Sequence, residues 1–144
     1  MQYYPKDIIL KNISHFNKHE EASEYGGCEY QYKNQKYIQR TAKITPKKTG
    51  QFVTLWKRDK KGLTTPYDKK DDLDFVIIIC HDQKNSGHFL FPKKILIERK
   101  ILTGSAEGKR GFRVYPNWDK PTSKQAISTQ VWQIEYFHEN ITFR

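Results

Sequence analysis

Cysteine is nearly missing from this chain: Cys28 and Cys80 are the two in 144 residues, and they form no Cys-x-x-Cys pair. That excludes a sequence-encoded zinc ribbon or dithiol motif and leaves both thiols as packing residues. Long hydrophobic runs are missing too. The longest, Phe75–Cys80, has the length of a strand, far short of the roughly 18 apolar residues that mark a membrane-spanning helix. The opening MQYYPKD lacks the apolar region of a secretory signal, so a cytoplasmic protein with no membrane partner is expected. Nucleotide-binding fingerprints are absent: the glycine-rich run from Gly104 to Gly111 has neither GxxxxGK(S/T) nor GxGxxG spacing, which leaves it a plain flexible loop. The Ser, Thr and Cys side chains have no His partner at a recognisable nucleophile spacing.

Positive charge and aromatic surface are plentiful. Twenty-six Lys and Arg against 16 Asp and Glu give a formal charge of +10 and a pI near 9.5, a field that attracts polyanions. A lysine-rich surface that serves only solubility would give the same balance. The mean hydropathy of −0.87 is low, but 14% aromatic residues supply bulk for a core. Residues 1–144 are expected to form a single α/β domain.

Ile9, Ile13 and Phe16 fall at helical spacing after Pro5, predicting an amphipathic helix from Pro5 to about Phe16. His15 and His19 near its end are four residues apart, but no third ligand follows, and a position near a helix C-terminus accounts for them. Cys28–Tyr32 and Lys36–Ile44 flank Lys33-Asn34-Gln35 and predict an antiparallel hairpin. Alternation puts Ile38, Ala42 and Ile44 on one face, with Arg40 among them. A buried guanidinium needs compensation, so a carboxylate or an anionic ligand is expected beside it. Gln51–Lys57 reads as a strand, and the charged stretch from Arg58 to Leu73 as a loop. The β-branched run ending at Cys80 predicts a central strand buried on both faces. A strand from His88 to Phe91 and a helix from Pro92 to about Leu102 follow, with His81 and His88 facing each other across the turn between strands.

The stretch from Phe112 to Phe137, FRVYPNWDKPTSKQAISTQVWQIEYF, carries two of the three Trp. A strand to Tyr115 puts Arg113 and Tyr115 on one face. Thr122-Ser-Lys-Gln125 fits a capping box. The helical stripe of Ile127, Val131, Ile134 and Phe137 is expected to pack on the sheet. Gln125, Thr129, Trp132 and Tyr136 then face away, as a second packing seam or as a stacking platform.

The motifs AKITPKKTGQFVTLW, HFLFPKKIL and the Phe112–Phe137 stretch occur in that order and closely resemble the MepB-like family of small bacterial proteins, from Tyr25 to Phe137. The resemblance implies a restriction-endonuclease-like, PD-(D/E)XK fold, a mixed sheet flanked by helices. Hydrolysis on that fold needs an Asp on one strand and an acid-x-Lys on its neighbour, so that the carboxylates hold Mg²⁺ and the Lys polarises water. This chain has no Pro-Asp pair, and its five acid-x-Lys instances all fall in expected loops, turns or helices. The one strand-borne near match is Thr41-Ala42-Lys43, where a neutral hydroxyl replaces the acid. The resemblance therefore implies a degenerate site.

The resulting expectation is a nucleic-acid-binding protein without hydrolytic activity, with single-stranded DNA or RNA as partner and no cofactor. Lys43, Lys47, Lys48, Arg110, Arg113 and Lys124 would neutralise phosphates, while Tyr115, Trp118 and Trp132 would stack bases. One alternative is an active Mg²⁺-dependent nuclease using Asp72 or Asp74 at the mouth of the central strand with Lys43 beside it. The other is a non-enzymatic sensor or protein-interaction module.

Overall fold

The computed structural model describes residues 13–139. A six-stranded sheet organises them in the order β1 (Ser14–Lys18), β2 (Cys28–Tyr32), β3 (Gln35–Thr41), β8 (Phe75–His81), β9 (Ser86–Pro92) and β11 (Phe137–Glu139). All neighbours are antiparallel except β3 and β8. A parallel pair needs a long crossover, and here it carries β4 (Lys43–Ile44), β5 (Gln51–Thr54), β6 (Lys57–Arg58) and β7 (Thr64–Thr65). Strand β10 (Gly111–Val114) later joins β5 and β4 in a three-stranded sheet, while β6 and β7 pair separately. Helices are few among the described residues: α1 (Lys93–Glu98), α2 (Lys124–Gln133) and two 3-10 turns, Glu20–Tyr25 and Ile134–Tyr136. The fold is a mixed sheet dominated by strands.

The hairpin of β2 and β3 forms where alternation places it, and Tyr32 pairs with Gln35. Lys33 and Asn34 adopt φ of 50° and 66°, the left-handed pair that a two-residue hairpin turn requires. Strand β8 is central, with Val76–Cys80 buried throughout. Val76, Ile78 and Cys80 join the main core with Phe89, Phe91, Leu96 and Val114. Ile77 and Ile79 join Cys28, Tyr30 and Tyr37 on the opposite face. Both thiols are free and buried, and burial pushes that of Cys28 up to about 11, as suits packing residues.

Several expectations need correction. The helix proposed from Pro5 lies mostly outside the described residues, but Ser14–Lys18 at its end is strand. Pairing with the exposed edge of β2 has overridden the local helical period there. Ile44 is exposed rather than sharing the buried face of Ile38 and Ala42, because β4 has left the large sheet for the edge of the small one. His88 pairs with Ile79, not His81, and its ring stacks on His138 at 5.1 Å. The helix after Pro92 stops at Glu98, and Lys100 takes a φ of 60°.

Arg40 is fully buried, yet its partner is not a carboxylate. Nη1 donates to the Gln39 carbonyl at 2.9 Å and Nη2 to the Tyr67 hydroxyl at 3.5 Å, while Nε has no partner. The Glu20–Tyr25 turn closes over the guanidinium through Gly27, where an added Cβ would fall 2.6 Å from Ala22 Cβ and 3.1 Å from Arg40 Nη1. His19 is buried at the start of that turn and bonds Glu29 at 2.8 Å.

The largest correction concerns α2. Ile127, Val131 and Ile134, expected to face the sheet, are exposed, whereas Gln133 is fully buried and Trp132 and Tyr136 pack on the core. The helix lies against β10 and the turn after it, where main-chain groups lack a strand partner. Gln133 Oε1 accepts from the Tyr115 amide at 2.9 Å and its Nε2 donates to the Arg113 carbonyl at 2.9 Å. Gln130 Nε2 reaches the carbonyls of Tyr115, Pro116 and Asp119. Such a face demands amides rather than aliphatic side chains. The N-cap is Ser123, one residue later than expected, accepting from the Ala126 amide at 3.2 Å.

Candidate functional site

The small sheet sets up a strongly basic cavity. Arg113 pairs with Phe52, which pairs with Lys43 on its other side, so all three side chains stand on the outer face. Arg113 then turns to the loop between β4 and β5, donating from Nη1 to the Thr49 carbonyl at 3.3 Å and from Nη2 to the Thr45 hydroxyl. These bonds fix the loop that carries Lys47 and Lys48. Gly50 at its end has a φ of 86°, and an added Cβ would meet the Tyr115 ring at 2.6 Å, so the loop closes tightly on the scaffold.

Around this loop lies a cavity of about 680 Å³ lined by Lys47, Lys48, Arg99, Lys109 and Arg113, with Thr122, Ser123 and Gln125 from the start of α2. No Asp or Glu lines it, and among the described residues none of the five cations is within ion-pair distance of a carboxylate. Five uncompensated cations at one concavity repel each other, and an anion relieves that repulsion. The lining is therefore electrostatically suited to a group of opposite charge.

The proposed phosphate-binding and stacking residues divide. Lys47, Lys48 and Arg113 come together here. Lys124 opens α2 and is exposed, but does not line the cavity. Arg110 turns away and binds the Thr64 hydroxyl and carbonyl. Lys43 leans over the Tyr25 ring at 4.7 Å, 3.9 Å from Glu24. Tyr115 is buried, which leaves no face for a base. Trp132 lines the cavity, but the Arg99 guanidinium lies over its ring at 5.2 Å and Phe91 packs on it at 5.6 Å. Trp118 packs edge-on against Phe137 at 5.6 Å. The aromatic residues read from the sequence as stackers are mainly scaffold.

Two lining cations, Arg99 and Lys109, were not among the expected site residues. Period-two alternation carried back from Arg113 puts Lys109 on its face and Arg110 on the other, which was a usable signal. Arg99 follows α1 and reaches the cavity through tertiary packing, for which the sequence offers no spacing.

Asp72 and Asp74 do not accompany Lys43. Asp74 accepts from the Lys36 amide at 2.9 Å and Asp72 pairs with the Lys36 ammonium at 2.7 Å, at the start of β8. Lys43 lies beyond the end of β3, whose register runs parallel from Tyr37–Phe75 to Thr41–Ile79, roughly 20 Å away by strand rise. Lys43 instead shares a cleft of about 660 Å³ with Glu24, His81 and Asp82. Desolvation works to raise the pKa of Asp82, but bonds from the Lys84 and Asn85 amides and the Asn85 side chain hold it below the ordinary carboxylate value. That carboxylate is committed to its turn. Among the described residues no group of three His, Cys, Asp or Glu could hold a metal ion.

Asp119, in the turn before α2, has its carboxyl pKa raised by burial and by the charge of Asp82. The folded state therefore binds this proton more tightly than the unfolded chain, and stability is lost as pH rises through the raised pKa. Asp119→Asn removes that cost. Its melting temperature should exceed that of the parent at pH 7, and the gain should shrink as pH falls towards the ordinary value of 3.8. A gain that does not vary with pH would refute this origin.

No helix among the described residues is long and apolar enough to cross a membrane. No curated protein matches the chain. A crystal structure of MepB superposes with a TM-score of 0.88 at 36% sequence identity, covering 98% of this chain and 100% of that one. The family model described as MepB-like matches residues 19–139, and the chain belongs to the MepB-like family.

Proposed function

We propose that the protein binds nucleic acid through phosphate contacts in the basic cavity, with weak sequence preference, and is not a nuclease. On this reading it is a cytoplasmic protein on a restriction-endonuclease-like sheet that keeps an anion-facing surface without the hydrolytic constellation. One observation carries the reading: Lys47, Lys48, Arg99, Lys109 and Arg113 converge on one cavity with no acidic side chain lining it. Single strands are favoured because a concavity of this size admits a flexible phosphodiester segment but not a duplex about 20 Å across.

Fluorescence anisotropy of a labelled oligothymidylate across a salt series tests the proposal. Log affinity should fall linearly with log salt, with a slope near −0.7 for each phosphate neutralised on a single strand. Affinity independent of salt would overturn the phosphate model. Incubating the same oligonucleotide with Mg²⁺ or Mn²⁺ should leave it intact; EDTA-sensitive cleavage that Lys43→Ala abolishes would establish the nuclease alternative instead.

A further inference from the structure

The geometry points to a narrower ligand: we infer that the cavity holds a terminal phosphate monoester, the phosphorylated end of a single strand, rather than an internal stretch of backbone. This rests on the nucleic-acid reading of the same cavity and refines it.

The cations do not form a track. A groove that follows an extended strand places positive charges along its length, so that successive phosphates meet successive side chains. Here Lys43 and Arg110 are held elsewhere, by Tyr25 and Glu24 in one case and by Thr64 in the other. The remaining charged residues come from separate segments and line one concavity: Lys47 and Lys48 from the β4–β5 loop, Arg99 from the end of α1, Lys109 and Arg113 from β10 and its approach. Convergent charge suits a ligand whose own charge is concentrated.

The aromatic surroundings agree. Tyr115 is buried, and Trp132 is already engaged by Arg99 and Phe91. The cavity thus offers cationic and hydroxyl donors, with Thr122 and Ser123 on its wall, and no open aromatic face for a base. The group that enters is phosphate, with the base left outside. An internal diester carries one negative charge and two free oxygens. A terminal monoester presents three oxygens and, above its second ionisation near pH 6, about two charges. The donors from several directions match the monoester better.

The charged residues that line the cavity are Lys and Arg, with no His or carboxylate among them. The second ionisation of the monoester, near pH 6, is the change that this contact would read. Monoester preference should strengthen as pH rises through about 6.

The test compares three short oligothymidylates of equal length, with a 5′-phosphate, with a 3′-phosphate and with hydroxyls at both ends, each labelled internally. One phosphorylated form should bind at least about tenfold more tightly than the hydroxyl-ended form at pH 7.5, the size of one extra charge-assisted contact. The advantage should shrink at pH 5 and be lost in Lys109→Ala, whose exposed side chain can be removed without disturbing the core. Inorganic phosphate should compete with the phosphorylated form. Equal affinity for all three oligonucleotides would overturn this inference while leaving the nucleic-acid reading in place. Failure of all three to bind would overturn both.

Discussion

Replacing Gln133 by leucine should cost about 2–4 kcal/mol of unfolding free energy, although the change puts a more apolar residue at a fully buried position. The side-chain amide does what one peptide unit of a neighbouring strand would do, joining the Arg113 carbonyl and the Tyr115 amide at 2.9 Å each. Leucine leaves both main-chain groups buried and without partners, at about 1–3 kcal/mol each, and its own burial recovers only part of that. Gln133→Glu should be no better, because a carboxylate has no N–H for the Arg113 carbonyl. Val131→Gln, two positions away on the exposed face, should stay within about 0.5 kcal/mol of the parent. Urea unfolding of the three variants checks the order. A leucine variant as stable as the parent would show that α2 is not held by these amides.

That contrast explains what was legible in the sequence. The β2–β3 hairpin could be read because alternation and the Lys33-Asn34 turn point to the same structure. The central strand could be read because Phe75–Cys80 has no polar interruption. The orientation of α2 could not, because the apolar stripe rule assumes that a helix packs on side chains. This helix packs on unpaired main chain, so Gln130 and Gln133 face inward and Ile127, Val131 and Ile134 face outward.

The candidate site was half legible for a similar reason. Lys47, Lys48 and Arg113 belong together because sheet pairing between β4, β5 and β10 joins segments that the sequence separates by more than 60 residues. The parallel register of β3 and β8 decides that Asp74 meets Lys36 and not Lys43, and neither strand signals its partner. Charge alone does not separate Lys109, which lines the cavity, from Arg110, which Thr64 holds elsewhere; the alternation carried back from Arg113 does.

The pair Lys47→Glu and Lys48→Glu should lower affinity for a labelled oligothymidylate by about 100-fold or more at low salt, and flatten the slope of log affinity against log salt by about 1.4 for the two contacts removed. Both side chains are exposed on a loop whose position depends on Arg113 and Gly50 rather than on the lysines, so the fold should survive the change. The control is Lys60→Glu with Lys61→Glu, on the turn between β6 and β7, which alters net charge equally without touching the cavity. If basic charge acts only as a diffuse field, the two double variants should lose affinity alike. A convergent cavity predicts that the Lys60 and Lys61 pair loses only a few-fold, through weakened long-range attraction that salt screens within about 10 Å at 0.1 M. Arg113→Ala adds a further distinction, because Arg113 both supplies charge and anchors the loop through Thr45 and Thr49. Its loss should exceed that of Lys109→Ala, and part of the excess should persist at high salt, where phosphate attraction is screened but loop order still matters. Equal losses for the two double variants would remove the cavity from the mechanism and leave the charge acting only as a diffuse field.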